Sequence, residues 1–320
     1  MSKAGLFFQN IIAIVWDFDN TLSSHYMQEP LFRAYDIDSR RFWDEVDKLP
    51  RYYARAGVTV PRDSCYLGHL LSYVKHGRIP DLTNAKLREL GAQIRFFPGI
   101  PELFRRLKSL LEESPFAESD LHLESYIVST GLAEMIRGSA VAPHIDGIWA
   151  SEFIETPAAP GADLDATPEP GVISQIAGFL DHTTKTRALF EINKGVNKHG
   201  DISVNDTIPE DERRVPFKNM IYIADGPSDI PSFSVVRQHG GLAYAVYPRG
   251  SPKRFAQVNQ LLETGRVNGI GPADYREDDQ TDMWLQLQVK TLAWRIVDDR
   301  EHDLQAKVGR APSHLDESSD

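Results

Sequence analysis

The segment Ile11–Leu22, IIAIVWDFDNTL, constrains the chain more than any other. Six apolar residues, several of them β-branched, run directly into two aspartates separated by one residue. A run this short and bulky predicts a strand buried on both faces of a parallel sheet. Such a strand delivers Asp17 to its carboxyl end, where open α/β sheets place their ligands. The i, i+2 spacing puts Asp17 and Asp19 on the same side of extended backbone. Carboxylates held that close repel each other unless a cation or a shared proton intervenes. The plain reading is a strand ending in a polar turn. The chemical reading is a nucleophile, Asp17, beside an acid–base group, Asp19, with a hard cation such as Mg²⁺ between protein and phosphate.

A length of 320 residues allows two domains, or one large core carrying an insertion. The formal charge of −11 argues against duplex nucleic acid or anionic lipid as a general partner. It leaves room for a small anionic substrate, because a bound metal reverses the local sign of a site. Cys65 is the one cysteine, so no disulfide can form within the chain, which fits a reducing compartment. A buried thiol is its simplest role. The N-terminal apolar run is too short for a membrane span and lacks a signal-peptide cleavage pattern. The expectation is a cytoplasmic protein.

After a polar stretch, SSHYMQEP, apolar residues recur at helical spacing through Phe42, Trp43, Val46 and Leu49, then Leu67, Leu70, Leu71 and Val74, then Leu87 and Leu90. Pro50, Pro61 and Pro80 punctuate them, and residues 25–92 read as a small, mostly helical unit whose aromatic stripes pack its core. Gly99 and Pro101 open another amphipathic helix. Tyr126–Val128 is a strand candidate running into Ser129, Thr130 and Gly131, with helical spacing behind them. Hydroxyls and N–H groups at a helix start suit a phosphate, although Ser and Thr are also ordinary caps. Thr156–Gly171, rich in Pro, Ala and Gly, reads as a surface excursion. Thr183 or Thr184 caps the next helix and leaves Lys185 in its first turn, where the dipole disfavours a cation. An anion site explains a lysine there. Met220–Ala224 is a further buried strand, ending in Asp225-Gly226-Pro227-Ser228-Asp229, and Leu242–Tyr247 is another. Helices follow around Phe255–Leu262 and Leu285–Ile296. Residues 301–320 read as a polar, frayed tail.

Three strand ends and a lysine thus stand in order: DFDNTL at 17–22, Ser129-Thr130, Lys185, and DGPSD at 225–229. This resembles the haloacid dehalogenase (HAD) superfamily, and most of all its phosphoserine-phosphatase-like branch, whose helical cap follows the first motif. The resemblance implies a doubly wound, Rossmann-like α/β core over 1–24 and 93–300, with a cap at 25–92. It implies that Asp17 attacks phosphorus to form an aspartyl-phosphate, and that Asp19 protonates the leaving oxygen and later deprotonates water. Ser129 would bind the phosphoryl oxygens and Lys185 would balance their charge, with Thr21, Thr130 and Gly131 completing the phosphate pocket. Mg²⁺ would be held by Asp17, the backbone carbonyl of Asp19 and Asp225, with Asp229 joining directly or through water.

The function this implies is Mg²⁺-dependent hydrolysis of a small phosphorylated metabolite. The alternatives are a phosphotransferase or mutase, and a non-catalytic phospholigand-binding protein. Oxygen donors without a cysteine or histidine cluster favour Mg²⁺ over Zn²⁺. The chain departs from phosphoserine phosphatase where that enzyme carries its cap-entrance glutamate, since Tyr26 stands at that position. The long segment Asp201–Arg214 is a second departure. His25 is a lone histidine near the motif and a candidate substrate contact. Tyr26, Gln28, Glu29 and Arg33 are the residues expected to select the substrate.

Overall fold

The computed structural model describes residues 9–308, and side chains as far as His302. Strand β1 (Ile11–Trp16) is followed by helices α1 (Glu29–Ala34), α2 (Ser39–Ala54), α3 (Cys65–Lys75), α4 (Asn84–Gly91) and α5 (Glu102–Ser109). Then come β2 (His122–Leu132), α6 (Ala133–Arg137), β3 (Gly147–Ile154), β4 (Gln175–Gly178) and α7 (Lys185–Lys194). The chain continues with β5 (Met220–Ala224), α8 (Ile230–Gln238), β6 (Leu242–Tyr247), α9 (Pro252–Glu263), β7 (Gly269–Pro272) and α10 (Gln280–Val308).

The strands form one sheet in the order β4-β3-β2-β1-β5-β6-β7, parallel throughout except for the antiparallel edge strand β4. This is the doubly wound α/β architecture expected from the sequence. The chain builds outward from β1 on one side, then returns to place β5 on the other, so the topological switch lies at β1 and β5. Strand β1 is buried along its whole length. Its alternate residues feed two apolar layers: Ile12, Ile14 and Trp16 join one, and Ile11, Ala13 and Val15 the other. The first layer includes residues of α1–α6 and α10, and the second is built with α7, α8 and α9.

Helix α4 packs backbone to backbone on α6. A Cβ on Gly91 would lie 2.1 Å from the Met135 carbonyl oxygen, and one on Gly138 would lie 1.8 Å from that of Arg88. Glycine at both places is what allows the approach. The residues around 156–171 are exposed and irregular, as expected of an excursion. Arg214 ends the long segment at 201–214 and forks onto Glu124 (2.6 and 2.7 Å), tying that segment to the start of β2. Cys65 is buried, and its thiol faces the Arg62 carbonyl. No helix among the described residues is long and apolar enough to cross a membrane.

One boundary shifts. The tail expected from 301 begins as helix, because α10 runs to Val308. Apolar periodicity ends earlier, but Glu, Leu, Gln, Ala and Lys are all strong helix formers. Residues 309–320 of that tail lie outside the described residues.

Candidate active site

Asp17 follows the last residue of β1, and its N–H donates to the Ile223 carbonyl in β5 (2.8 Å), which fixes it at the switch point. The chain then folds over the Phe18 carbonyl, which accepts the N–H groups of Thr21, Leu22 and Ser23. Asn20 takes the left-handed conformation this turn requires, at φ 59°, one that asparagine tolerates better than most residues. The turn brings Thr21 Oγ1 to 3.1 Å from Asp17 Oδ2. Tyr275 braces it from behind, donating to the Thr21 carbonyl (2.6 Å). The Asp19 carboxylate accepts from the Met27 N–H (2.8 Å) and Ser23 Oγ (3.3 Å).

Lys185 is the first residue of α7 and is 1% exposed. Its ammonium donates to Asp17 Oδ1 (2.6 Å) and to Asp229 Oδ1 (2.7 Å). A cation in the first turn is therefore balanced by the strand-end carboxylates. Thr184 stands at the N-cap position as expected, but its hydroxyl makes no capping hydrogen bond to the helix. Asp181 accepts the N–H groups of both Thr183 and Thr184 instead, because a carboxylate is the stronger acceptor at that end. Asp229 is fully buried; its Oδ1 also takes the Tyr222 hydroxyl (2.7 Å), and its Oδ2 takes Ser228 Oγ (2.6 Å). Asp225 lies just past β5, with the Arg254 guanidinium 3.6 Å away.

Asp17, Asp225 and Asp229 each present a carboxylate oxygen within 4.8 Å of the others. Burial pushes the Asp17 carboxyl up to about 6, against the pull of Lys185. Burial and the neighbouring Asp17 charge take Asp19 to about 7, and burial with Asp17 and Asp229 takes Asp225 to about 8. Burial alone would lower Lys185, but Asp17 and Asp229 hold it well above its ordinary value. The cluster is rich in negative charge and offers only oxygen donors. That chemistry fits a hard divalent cation. Asp17 and Asp229 share the Lys185 ammonium, and Asp229 has both of its oxygens hydrogen-bonded, as Asp17 does.

The second motif in chain order, Ser129-Thr130, sits at the end of β2, beside β1. Ser129 is buried and its Oγ accepts the Gly131 N–H (3.0 Å). The helix expected after Gly131 follows at once, with Leu132 as its N-cap and Ala133 as its first residue. Strand β2 pairs with β3 again at Leu132, and α6 has only five residues. The Leu132 N–H points at Met27 Sδ (3.0 Å), so a thioether lies over this corner. Gly131 makes room for it, since a Cβ there would meet Met27 Cε at 2.2 Å.

A cavity of about 460 Å³ opens above these groups, with Asp19, Thr130 and Gly131 on its floor. Tyr26, Gln28, Trp43 and Tyr66 wall it, and Asp47, Arg62 and Asp63 form the rim. The Tyr66 hydroxyl donates to the Thr130 carbonyl (2.6 Å). Gln28 Oε1 and Trp43 Nε1 are buried without hydrogen-bond partners among the described residues. Of the four residues expected to select substrate, Tyr26 and Gln28 line this cavity. Glu29 and Arg33 instead line a separate cavity of about 170 Å³ with His25 and Tyr26. They lie one turn apart in α1 and so share a face that points elsewhere. Sequence reading missed Tyr222, Met27, Trp43 and Tyr66. Tyr222 carried a signal, since a tyrosine inside an aliphatic buried strand needs a partner for its hydroxyl.

No family model matches the chain. An uncharacterized protein of Borreliella burgdorferi is 36% identical over 287 residues, which is 88% of this chain and 97% of that protein. Among solved structures, an HAD-family hydrolase of Salmonella enterica serovar Typhi is similar at a TM-score of 0.46 and 13% identity, covering 84% of this chain and 69% of that one. Phosphoserine phosphatase in its apo form gives a TM-score of 0.44 at 13% identity, with coverages of 81% and 92%. A probable phosphoserine phosphatase of Vibrio cholerae gives 0.46 at 13% identity, with coverages of 90% and 68%. The four motifs read from the sequence meet at the carboxyl ends of β1, β2 and β5 and the start of α7, on the doubly wound sheet that their order implied. The chain belongs to one family with the Borreliella burgdorferi protein, and its fold is the doubly wound α/β type that the resemblance to the haloacid dehalogenase superfamily implied.

Proposed function

We propose that this protein is a Mg²⁺-dependent phosphomonoester hydrolase that works through an aspartyl-phosphate at Asp17. The observation that carries the reading is the Lys185 ammonium, buried between Asp17 and Asp229 at the switch point of the sheet. A buried lysine that orients a carboxylate at a strand end is costly as architecture alone and useful for transfer of a dianion.

In this reading an Asp17 oxygen bonds to phosphorus as the bond from phosphorus to the leaving oxygen breaks. The leaving oxygen keeps that electron pair and takes a proton from Asp19. Water then attacks phosphorus, Asp19 accepts its proton, and the bond from phosphorus to Asp17 breaks. Asp19 lines the cavity where a leaving group would sit, and its raised pKa supports an acid role near neutrality. Lys185 neutralises the carboxylate and the equatorial oxygens, and Asp229 positions Lys185. Ser129 holds phosphoryl oxygens, with Thr21, Thr130 and Gly131 around the same pocket. Asp17, Asp225 and the Asp19 carbonyl would hold Mg²⁺, which supplies charge neutralisation for the attack on a dianion. Residues 25–92 act as the cap that shapes the leaving-group side.

The test is hydrolysis of 4-nitrophenyl phosphate by the full chain with Mg²⁺ and with EDTA. Borohydride trapping during turnover should then mark residue 17 by mass spectrometry. Turnover undiminished by EDTA removes the metal from the reading. A trapped site elsewhere removes Asp17 as the nucleophile.

A further inference from the structure

We infer that the cavity above Asp19 selects phosphomonoesters whose alcohol carries a cationic amine or quaternary ammonium group and no carboxylate. The inference rests on the hydrolysis proposed above and names its substrate class.

Three aromatic rings line the cavity in succession. Tyr26 and Trp43 have centroids 5.5 Å apart with planes inclined by 42°, and Trp43 and Tyr66 are 5.7 Å apart at 46°. Rings turned on one another in this way make a curved wall rather than parallel plates. A flat base stacks best between parallel faces, whereas a compact cation is held by several ring faces at once. The neighbouring Phe42 shows the contrast. It is buried inside the helical unit against Phe32 and Tyr73, while Trp43, one residue on, faces the cavity.

The charges agree with the rings. On the rim Asp47 holds Arg62 through Nε (3.2 Å) and Nη2 (2.8 Å), and Asp63, 3.3 Å from His182 Nδ1, leaves the rim one acid in excess of its arginine. A leaving group bearing a carboxylate would meet this acidic rim, so an amino alcohol fits better than an amino acid. Gln28 adds an independent observation. It is 3% exposed, it lines the cavity, its amide hydrogen-bonds Tyr66, and among the described residues its Oε1 has no hydrogen-bond partner. A buried acceptor left unanswered is costly, and an ammonium N–H or a polarised N-methyl group answers it.

The experiment compares kcat/KM of the full chain, with Mg²⁺, on phosphocholine, phosphoethanolamine and 3,3-dimethylbutyl phosphate, the neutral carbon isostere of phosphocholine. Glycerol phosphate, phosphoserine and 4-nitrophenyl phosphate complete the panel. One of the two cationic esters should exceed the neutral isostere by about tenfold or more, and which one identifies a primary or a quaternary head. Trp43→Leu and Tyr26→Leu should each bring that ratio down severalfold, and Trp43→Phe should keep most of it. Hydrolysis of 4-nitrophenyl phosphate with no preference for a cationic ester overturns the inference and leaves the hydrolase reading standing. So does a preference for glycerol phosphate, which would answer both Gln28 Oε1 and Trp43 Nε1, or for phosphoserine. No hydrolysis of any ester, 4-nitrophenyl phosphate included, overturns the hydrolase reading and this inference with it. The comparison on the unmodified protein decides the matter even where a variant fails to fold.

Discussion

Replacing Lys185 by methionine keeps an unbranched side chain, one atom shorter, and removes its charge. The ammonium lies 2.6 Å from Asp17 and 2.7 Å from Asp229, and all three side chains are buried. Removing one member of such a group leaves uncompensated buried charge, which costs about 3–5 kcal/mol. Unfolding a chain of 320 residues carries an entropy of roughly 0.7 kcal/mol/K, so the melting temperature should fall by about 5–8 °C. The pH dependence gives the sharper test. Asp17 already stands at about 6 with Lys185 present, and losing that partner raises it further. A carboxylate raised on folding holds its proton more tightly in the native state, so stability falls as pH rises through the folded value. Above both folded values the variant lags the parent by about 1.4 kcal/mol for each unit of extra shift, and below them this part of the deficit disappears. Thermal unfolding should be followed by circular dichroism at pH 5 and pH 8, in EDTA so that no divalent cation compensates. The deficit should be large at pH 8 and clearly smaller at pH 5. An equal deficit at both values, or none at pH 8, refutes the electrostatic account of Lys185.

Asp17→Asn should abolish turnover with the melting temperature little changed in EDTA, since Lys185 keeps Asp229 as its counter-charge (2.7 Å) and the amide keeps the shape but loses the nucleophile. Substantial turnover in the pure variant would end the covalent mechanism. Asp19→Asn should slow hydrolysis of alkyl phosphates by roughly 10²–10⁴-fold and of aryl phosphates by less, because a good leaving group needs little protonation. Equal losses on both, with chemistry limiting each rate, argue against its acid role. Asp274, buried between Arg276 and Arg249, is held down at about 2. Asp274→Asn should cost roughly 1–2 kcal/mol at neutral pH, discounted because both arginines are exposed. Denaturant titrations should show that difference present above pH ~4 and lost as pH falls toward 2, and a difference independent of pH contradicts the pairing. Gly91→Ala should destabilise by about 1–3 kcal/mol although alanine is the better helix former, because its Cβ would lie 2.1 Å from the Met135 carbonyl oxygen. A stabilised variant would mean that α4 can lift from α6 freely.

The centre of the fold was legible because its strands are uniform. IIAIVW, MIYIA and LAYAVY are apolar on both faces, and each becomes a strand at the residues expected. The edges were not. Strand β7 is GIGP and β4 is QIAG, and neither carries a run long or apolar enough to stand out. Strand β2 begins four residues before its apolar run, at a polar stretch whose Glu124 is neutralised by Arg214 from a distant loop. The strand-end acids and Lys185 could be read from the sequence because their chemistry is local to short motifs. The cavity walls could not. Trp43 and Tyr66 lie in amphipathic stripes that read as core, and only the packing of α2 and α3 shows that one side of those stripes is left for a ligand. Met27 leaves no trace in the sequence that would place its sulfur over Gly131.

The paired glycine contacts between α4 and α6 bear on how far the insertion can be exchanged. Gly91 and Gly138 lock the two helices through carbonyl oxygens, and Asn84 adds bonds to Glu155 Oε1 (2.6 Å) and the Phe153 carbonyl (3.1 Å) near the end of β3. Helix α4 is thus built into the sheet layer, although it falls within the 25–92 span assigned to the cap. The walls of the leaving-group cavity come from residues 26–66. A graft meant to carry selectivity from one relative to another should therefore span the chain from Ser24 to Asp81 and stop before Thr83, which caps α4. Carried through residue 92, the same graft would import a foreign helix into a joint that accepts no side chain. Its product would fail by misfolding and report nothing about specificity.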